Sequence, residues 1–428
     1  MNAVRAPHLL AVAYGGGHIA MVLPVLRALR QQQPRLRITL LALTTAARAA
    51  RAAGESPLGY ADLLHLLDAD ARAQALALGR AMLAGNTHPD VAEAESIAYL
   101  GVNAWDLQQQ VGTQAAQRLL TEKGRHGFYP LHFFRRVMAH LRPDLLLTTN
   151  SPRSEQAAID AATDAGIPSL ALLDLFALPG DAFAARTRYP SRVCVLSEAV
   201  RDNLVAAGWP ADRIAITGNP AFDALDAPQT RAAGTALRRT LLGAAQRLLL
   251  LALQPEPVAH PAAPGRRGDP ALPARIVQAA VQAVRAHPDW RLIVRPHPSQ
   301  PPPALPADAQ LRLSPPAEPL HPLLHAVDLV ITGTSTVALE AHLAGCRVLQ
   351  LRDSITAAAV PYKALGIADA ECLAAELPDA LPMLLAAGRR PPTSNDTAPA
   401  AEKVGAVALD LLGARCAPAL NPTQQQTV

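Results

Sequence analysis

Short apolar runs alternate with amphipathic stretches along most of this chain. Each apolar run is bounded by glycine, proline or polar residues, which is typical of a buried strand, and the stretches between the runs carry helical periodicity. The strands predicted in the first half are 9–13, 36–43, 144–149, 169–173, 192–196 and 214–217. The helices predicted there are 19–31, most of 60–120, and 154–165. This succession favours βα units and parallel sheets.

The alternation resumes after a polar stretch rich in alanine and arginine. The strands predicted in the second half are 248–253, 291–294, 328–331 and 347–351, and the helices are 273–286, 337–344 and 398–412. A chain of 428 residues is too long for one ordinary core. We therefore predict an α/β protein with an N-terminal domain over 1–226, a linker over 227–242, a C-terminal domain over 243–415 whose final helix packs back towards the first domain, and a polar tail over 416–428.

Composition narrows the class of partner. The net charge is +4 without a long block of lysine and arginine, so nucleic acid is not an expected partner. The four cysteines lack metal-ligand spacing, which predicts reduced thiols in a cytoplasmic protein. The apolar run after His8 is too short for a signal peptide, and no apolar run is long enough to span a membrane.

The strongest candidate for a binding site follows the strand 328–331. A turn of small residues leads there into a helix, and the N-terminus of a helix attracts anions. Gly333 would let a ligand approach the backbone, Thr334, Ser335 and Thr336 would add hydroxyl donors, and Glu340 would accept from a ribose diol. The alternative is a capped helix without a ligand.

Two further segments accompany this turn. Arg295 and His297, in Arg-Pro-His-Pro, follow the strand 291–294 and offer two cationic groups. Gly218 and Asn219 belong to the Thr-Gly-Asn turn after the strand 214–217. Taken alone, the first is also compatible with a surface loop and the second with a helix cap.

In this order the three segments resemble one family. From about Ser191 to Gly366 the chain is similar to the donor half of GT-B sugar-nucleotide proteins, particularly the UDP-N-acetylglucosamine 2-epimerase-like branch. The resemblance implies two Rossmann-like domains facing a cleft and a nucleotide-sugar donor, expected to be a UDP-sugar, bound by the segments above. The Arg-Pro-His-Pro form also occurs in polymer-forming glycerophosphate and capsule transferases, so a nucleotide-linked polyol is an alternative donor.

A glycine-rich loop follows the first strand, and its Gly16 and Gly17 would let the donor approach the backbone closely beside His18. It resembles the Gly-Gly-His loop of the transferase that adds GlcNAc to lipid-linked muramyl peptide. The resemblance implies that His18 is either a general base for the acceptor hydroxyl or a donor to the diphosphate; histidine suits both roles because its pKa lies near neutrality. A helix-capping histidine is the structural alternative.

The first half departs from the epimerase pattern. That pattern would place an aspartate near Asn150 and a Glu-Ala-Gly-Leu-Arg turn near Asp174. Neither is present, although Asp174 keeps one carboxylate that is able to orient an acceptor or to cap a strand. We therefore favour glycosyl transfer over epimerisation. No metal is expected, since the only formal Asp-x-Asp pair considered as a metal site, Asp68 and Asp70, falls in a helical context and is interpreted as a solvated helix face. No cofactor is expected either, because the nucleotide-sugar is a substrate.

The segment 128–136 holds three phenylalanines followed by two arginines. Aromatic residues beside cations are able to seat a helix on an anionic bilayer, and a core helix is the alternative. The sequence thus predicts a GT-B glycosyltransferase acting on a cell-envelope polysaccharide or a lipid-linked acceptor, with peripheral contact to the inner membrane as an option. Its rivals are a UDP-N-acetylglucosamine 2-epimerase, a polyol-phosphate transferase and a non-catalytic nucleotide-sugar-binding partner.

Overall fold

The computed structural model describes residues 5–174, 176–260, 263–297, 300–391 and 398–416. They form two compact units, one made of residues up to Ala221 together with those from Ala398 on, and the other of Phe222–Thr397. Each unit contains one six-stranded sheet.

The sheet of the first unit is parallel throughout, in the order β2-β1-β3-β4-β5-β6. Its strands are β1 His8–Tyr14, β2 Arg37–Leu43, β3 Leu145–Thr148, β4 Ser169–Leu172, β5 Arg192–Val195 and β6 Ile214–Ile216. The helices are α1 Gly15–Gln32, α2 Ala46–Ala52, α3 Ala69–Ala81, α4 Glu93–Val111, α5 Thr113–Lys123, α6 Leu131–Leu141, α7 Ser154–Asp164 and α8 Glu198–Ala206. Buried residues run without interruption along β1 because helices cover both faces of a parallel sheet.

The second unit repeats this architecture in the order β12-β11-β10-β7-β8-β9, again all parallel. Its strands are β7 Arg247–Ala252, β8 Trp290–Arg295, β9 Leu311–Leu313, β10 Leu329–Thr332, β11 Arg347–Leu351 and β12 Ala370–Cys372. Its helices are α9 Pro228–Leu242, α10 Leu272–Arg285, α11 Leu320–Ala326, α12 Val337–Leu343 and α13 Leu377–Ala386.

The stretch 227–242, predicted as a linker, is almost entirely the helix α9, which packs on α11 inside the second unit. The two helices lie so close that a Cβ atom on Gly234 would come within 2.3 Å of the Cβ of His325. Arg238 also donates to the carbonyl of Ala326 at 2.6 Å. The polar residues that suggest a linker are the solvent face of an amphipathic helix.

The last helix, α14 Ala400–Cys416, belongs to the first unit. Val404, Ala408 and Leu412 are buried in the same core cluster as Val25 and Leu29 of α1. The core of the first unit is therefore built from both ends of the described chain.

Candidate functional site

Three polar side chains meet at the carboxyl edge of the first sheet. His18 lies in the first turn of α1, Thr149 directly follows β3, and Asp174 follows β4. The strand order reverses between β1 and β3, because β2 lies on one side of β1 and β3 on the other. In open α/β sheets the crevice outside the carboxyl ends of strands at such a reversal is the usual ligand site.

The His18 ring is held from both sides. Its Nδ1 lies 2.7 Å from Oγ1 of Thr149 and its Nε2 lies 3.3 Å from Oδ2 of Asp174. The Thr149 hydroxyl donates its own proton to Glu155 at 2.5 Å, so Nδ1 of His18 must be the donor towards Thr149. With a second N–H facing Asp174, the arrangement suits the doubly protonated imidazolium.

Glu155, which sequence reasoning missed, anchors this cluster. Its side chain is fully buried, and the carboxylate accepts from the backbone N–H of Tyr14 at 2.7 Å and of Ser151 at 2.8 Å, besides the Thr149 hydroxyl. It lies 3.6 Å from Nδ1 of His18. An unpaired buried carboxylate would be costly, so the positive charge of His18 offsets it.

Electrostatics therefore favour protonated His18. Burial by itself would lower the pKa of His18, but the hydrogen bonds and charges of Asp174 and Glu155 outweigh burial and raise the pKa to about 10. At neutral pH the cluster then comprises two carboxylates and one imidazolium, which leaves one net negative charge.

Asp174 has spare hydrogen-bonding capacity. Its Oδ2 faces His18, whereas its Oδ1 is buried and has no hydrogen-bond partner among the described residues. The side chain as a whole is 26% exposed, so a ligand is able to reach the group. Buried polar atoms without partners are rare in folded proteins, and this one marks a place where a donor is missing.

Gly16 and Gly17 form the start of α1 and are both exposed. Nothing lies within 4 Å of where their Cβ atoms would be, so the space beside the backbone at both positions is open. Next to them, the guanidinium carbon of Arg153 lies 4.4 Å from the ring centroid of Tyr14. The loop thus presents an open backbone and one neighbouring cation.

The carboxyl edge of the second sheet has a different character. The strand order reverses between β7 and β10. Gln254, which follows β7, makes two hydrogen bonds to Thr334, which follows β10, and we call this pair of bonds the lock. The Gln254 amide donates to Oγ1 of Thr334 at 2.7 Å and accepts from its backbone N–H at 2.8 Å. Gln254 was also missed from the sequence.

Gly333 makes this lock possible. A Cβ atom at this position would lie 3.3 Å from Nε2 of Gln254, so the space that glycine leaves is occupied by the glutamine amide. Oγ1 of Thr334 also lies 3.0 Å from Oγ1 of Thr356, and Tyr362 donates to the carbonyl of Ser335 at 2.8 Å. The Thr336 hydroxyl is exposed and does not cap α12.

Arg295 and Glu340 lie on neighbouring elements of the second unit. Arg295, at the end of β8, donates to Oγ of Ser314 and to the carbonyl of Glu318, both at 3.0 Å. Burial lowers the pKa of Arg295, while the charges of Glu318 and Glu340 act in the opposite direction. Glu340 itself lies 3.1 Å from Nε2 of His321. His297 is described, but the two residues after it are not.

Gly218 and Asn219 belong to the first unit, whereas the other predicted donor residues of the C-terminal half belong to the second. The side chain of Asn219 accepts from the backbone N–H of Ala221 at 2.9 Å and so closes its own turn. A donor-binding role for Gly218 and Asn219 stays a prediction.

The structure bears on two predictions about other segments, the aromatic segment 128–136 and the pair Asp68 and Asp70. Phe128, Phe133 and Phe134 are at most 1% exposed, so these rings offer no surface to a bilayer. Asp68 caps α3 by accepting from the backbone N–H of Ala71 at 2.8 Å.

Within the described ranges, no helix is long and apolar enough to cross a membrane, and no group of three or more potential ligands is arranged to hold a metal ion.

No family model and no curated protein matches this sequence. Solved structures match over nearly its whole length. The UDP-GlcNAc 2-epimerase of Neisseria meningitidis has 13% identity and a TM-score of 0.55, covering 95% of this chain and 100% of that one. The UDP-GlcNAc 2-epimerase of Methanocaldococcus jannaschii has 13% identity and a TM-score of 0.53, covering 95% of this chain and 99% of that one. The glycotransferase of kitacinnamycin has 15% identity and a TM-score of 0.51, covering 96% of both chains.

The chain has a GT-B fold. The prediction of two Rossmann-like α/β domains is thereby confirmed. Both kinds of enzyme that the sequence resembles, epimerases and glycosyltransferases, occur among the structures that share this GT-B fold. The choice between them depends on the residues of the His18 cluster.

Proposed function

We propose that this GT-B protein is a glycosyltransferase that moves a sugar from a nucleoside-diphosphate donor, a UDP-sugar, to a hydroxyl group of a saccharide or lipid-linked acceptor. The observation that carries the proposal is the buried, unpartnered Oδ1 of Asp174 beside the imidazolium of His18. An acceptor hydroxyl that reaches the exposed part of this carboxylate would supply the donor that it lacks.

In the proposed step the acceptor oxygen forms a bond to the anomeric carbon of the donor sugar. The bond from that carbon to the diphosphate oxygen breaks, its electron pair leaves with the diphosphate, and the hydroxyl proton passes to Asp174. The transfer of this proton changes the charge of the cluster from minus one to zero, which relieves the repulsion between Asp174 and Glu155. A carboxylate suffices as base because the hydroxyl becomes acidic as the new bond forms.

His18 remains protonated throughout this step. The sequence left open whether it is a base or a cationic donor, and the raised pKa of His18 favours the cationic role. Glu155 and Thr149 are positioning residues, since they act on the substrate only through the His18 ring.

The nucleotide half of the donor is assigned to the second unit. Arg295, His297, Ser335 and Thr336 would contact the diphosphate, and Glu340 the ribose. Support comes from the crystal structure of the similar Neisseria meningitidis epimerase, which was solved with UDP-GlcNAc bound. The lock between Gln254 and Thr334 would hold the loop that presents these groups.

The rival is 2-epimerisation of UDP-GlcNAc. It is favoured by the two carboxylates that flank His18, because an acid and a base on one cluster are able to remove and return a proton at carbon 2. An epimerase needs no acceptor, whereas a transferase does, and this difference separates the two reactions.

The test has two stages. Thermal unfolding with a panel of UDP-, CDP- and GDP-sugars identifies the donor, and we expect a UDP-sugar to raise the melting temperature. The stabilising donor is then incubated in D₂O without acceptor. Deuterium at carbon 2, UDP-ManNAc, or ManNAc with UDP would contradict the transferase assignment. Stabilisation with no turnover in the presence of any saccharide or lipid-linked acceptor would favour a non-catalytic binding partner.

A further inference from the structure

A cavity of about 240 Å³ lies in the first unit, next to the amino end of α1. Its walls come from the turn after β2, the connection between α3 and α4, and α4 itself, and they include Thr44, Asn86, His88 and Tyr99. Tyr14 and Gly15, which join β1 to the His18 loop, also line it. The cavity therefore opens beside the residues that carry the proposed chemistry.

The Tyr99 hydroxyl is the most informative atom in this wall. Tyr99 is only 4% exposed, and its hydroxyl lacks a partner with hydrogen-bond geometry among the described residues. Its ring is held in place by Tyr60 and Phe128, with centroids at 5.5 and 5.8 Å. A rigidly held tyrosine whose buried hydroxyl is unsatisfied is a costly arrangement, and a bound ligand would satisfy it.

The turn opposite α4 is strained. Thr44 has a φ of +55°, a left-handed conformation that is unusual for a β-branched residue. Strained residues of this kind occur preferentially where a ligand is held. Thr44 and Tyr99 thus mark two walls of one cavity by independent observations.

The lining is mostly apolar, with aromatic faces from Tyr14 and Tyr99. Its polar and charged groups belong to Thr44, Thr45, Asn86, His88, Glu95, Ser96 and Arg125. Aromatic faces bind flat or ring-shaped groups, and the scattered polar groups suit hydroxyl substituents. A cavity of roughly 150 Å³ accommodates benzene, so this one has room for a single substituted six-membered ring.

We propose that this cavity is the acceptor subsite and that it takes a six-membered ring bearing hydroxyl groups, either a sugar or a phenol, with the Tyr99 hydroxyl bonded to a ring substituent. The proposal rests on the glycosyltransferase function and names its acceptor class. The first test compares Tyr99→Phe with Tyr60→Phe. Tyr60 is an equally buried tyrosine, but its hydroxyl is satisfied by Ser154 at 2.9 Å.

Tyr99→Phe is expected to raise the acceptor KM about tenfold without lowering the melting temperature, because it removes a buried hydroxyl that has no partner with hydrogen-bond geometry among the described residues. Tyr60→Phe is expected to lower the melting temperature and leave the acceptor KM unchanged. If Tyr99→Phe leaves the acceptor KM unchanged, the subsite proposal is wrong even though transfer occurs.

A second measurement does not depend on turnover. The full chain is titrated without donor against 4-nitrophenol and against methyl β-glucoside, with binding followed by ligand-observed NMR. Binding of either probe, weakened in Tyr99→Phe and retained in Tyr60→Phe, supports the subsite and shows whether a phenol or a sugar is preferred. Such binding without any transfer would overturn the proposed function and leave the cavity only as a binding site for hydroxylated rings. Binding of neither probe, or equal binding by both variants, would overturn the subsite.

Discussion

The carboxyl edges of the two sheets have the same topology and different chemistry. In each sheet the strand order reverses beside the first strand, between β1 and β3 or between β7 and β10. At the first reversal, Asp174 retains an unpartnered oxygen beside a charged ring. At the second, the Gln254 amide is satisfied at both its oxygen and its nitrogen by Thr334. Topology places the candidate site in each sheet. Unused hydrogen-bonding capacity distinguishes the edge that we propose to be reactive, the reactive edge, from the edge that we propose to bind the donor, the rigid edge.

The largest expected effect is on the reactive edge. Asp174→Asn should lower kcat about a thousandfold, because an amide cannot take the acceptor proton. The rate of transfer from the stabilising UDP-sugar measures this. Asp181→Asn is the control, since that carboxylate already accepts from the backbone N–H groups of Phe183 and Ala184. A mutant Asp174→Asn that retains the kcat of the wild type would remove the distinction between the two edges.

The second prediction concerns the charge on His18. Its partners raise the pKa from 6.5 to about 10 in the folded protein, so folding is favoured by protonation. The stabilisation is fully present below pH 6.5 and is lost as the pH rises through 10. Urea unfolding of the wild type and of His18→Gln should show a difference that is greatest near pH 6 and disappears above pH 10. The exposed His126→Gln should leave the free energy of unfolding unchanged. A difference between wild type and His18→Gln that grows with pH would contradict the proposed imidazolium.

The third prediction tests the rigid edge. Gln254→Ala breaks both bonds to Thr334 and should lower the free energy of unfolding by about 2 kcal/mol, as well as weakening donor binding. Chemical denaturation and isothermal titration with the donor measure the two effects. Gln254→Glu should lose less stability, because a carboxylate still accepts from the backbone N–H and the hydroxyl of Thr334. Equal losses in both variants would mean that the lock contributes little.

The smallest expected effect lies at the proposed ribose contact. Glu340→Gln should weaken donor binding about tenfold, or about 1.4 kcal/mol, because a charged acceptor is replaced by a neutral one. Acceptor KM should remain unchanged, which separates the second unit from the first. Glu371→Gln, an exposed carboxylate on β12, is the matched control. A change in acceptor KM with unchanged donor binding would mean that Glu340 contacts the acceptor and not the donor.

The core strands could be predicted from the sequence because each is a continuous apolar run between helix-forming stretches. β1, β7 and β10 lie within about a residue or two of their predicted bounds for this reason. The short edge strands β9 and β12 were not predicted, since each has only three residues with a charged residue at the centre, Arg312 or Glu371. The helix α9 was interpreted as a linker because its single buried face is narrow.

The candidate site could be predicted only where local sequence marks it. The glycine-rich loop identified His18, and the end of a strand identified Asp174. Glu155 has no such signal: within α7 it resembles an ordinary first-turn glutamate, and only the pairing of β1 with β3 brings it to His18. Gln254 is likewise meaningful only because β7 pairs with β10. Residues that act through contacts distant in sequence require the topology first.

The position of α14 has a consequence for synthesis. Residues of α14 complete the core around α1, so the first unit cannot close until α14, which follows the whole second unit in the chain, has left the ribosome. The second unit is continuous from Phe222 to Thr397 and is able to fold earlier, although domains usually fold in the order in which they are made. Until α14 has been made, the apolar residues of α1 that pack on it stay uncovered, and the nascent protein is exposed to aggregation during that interval.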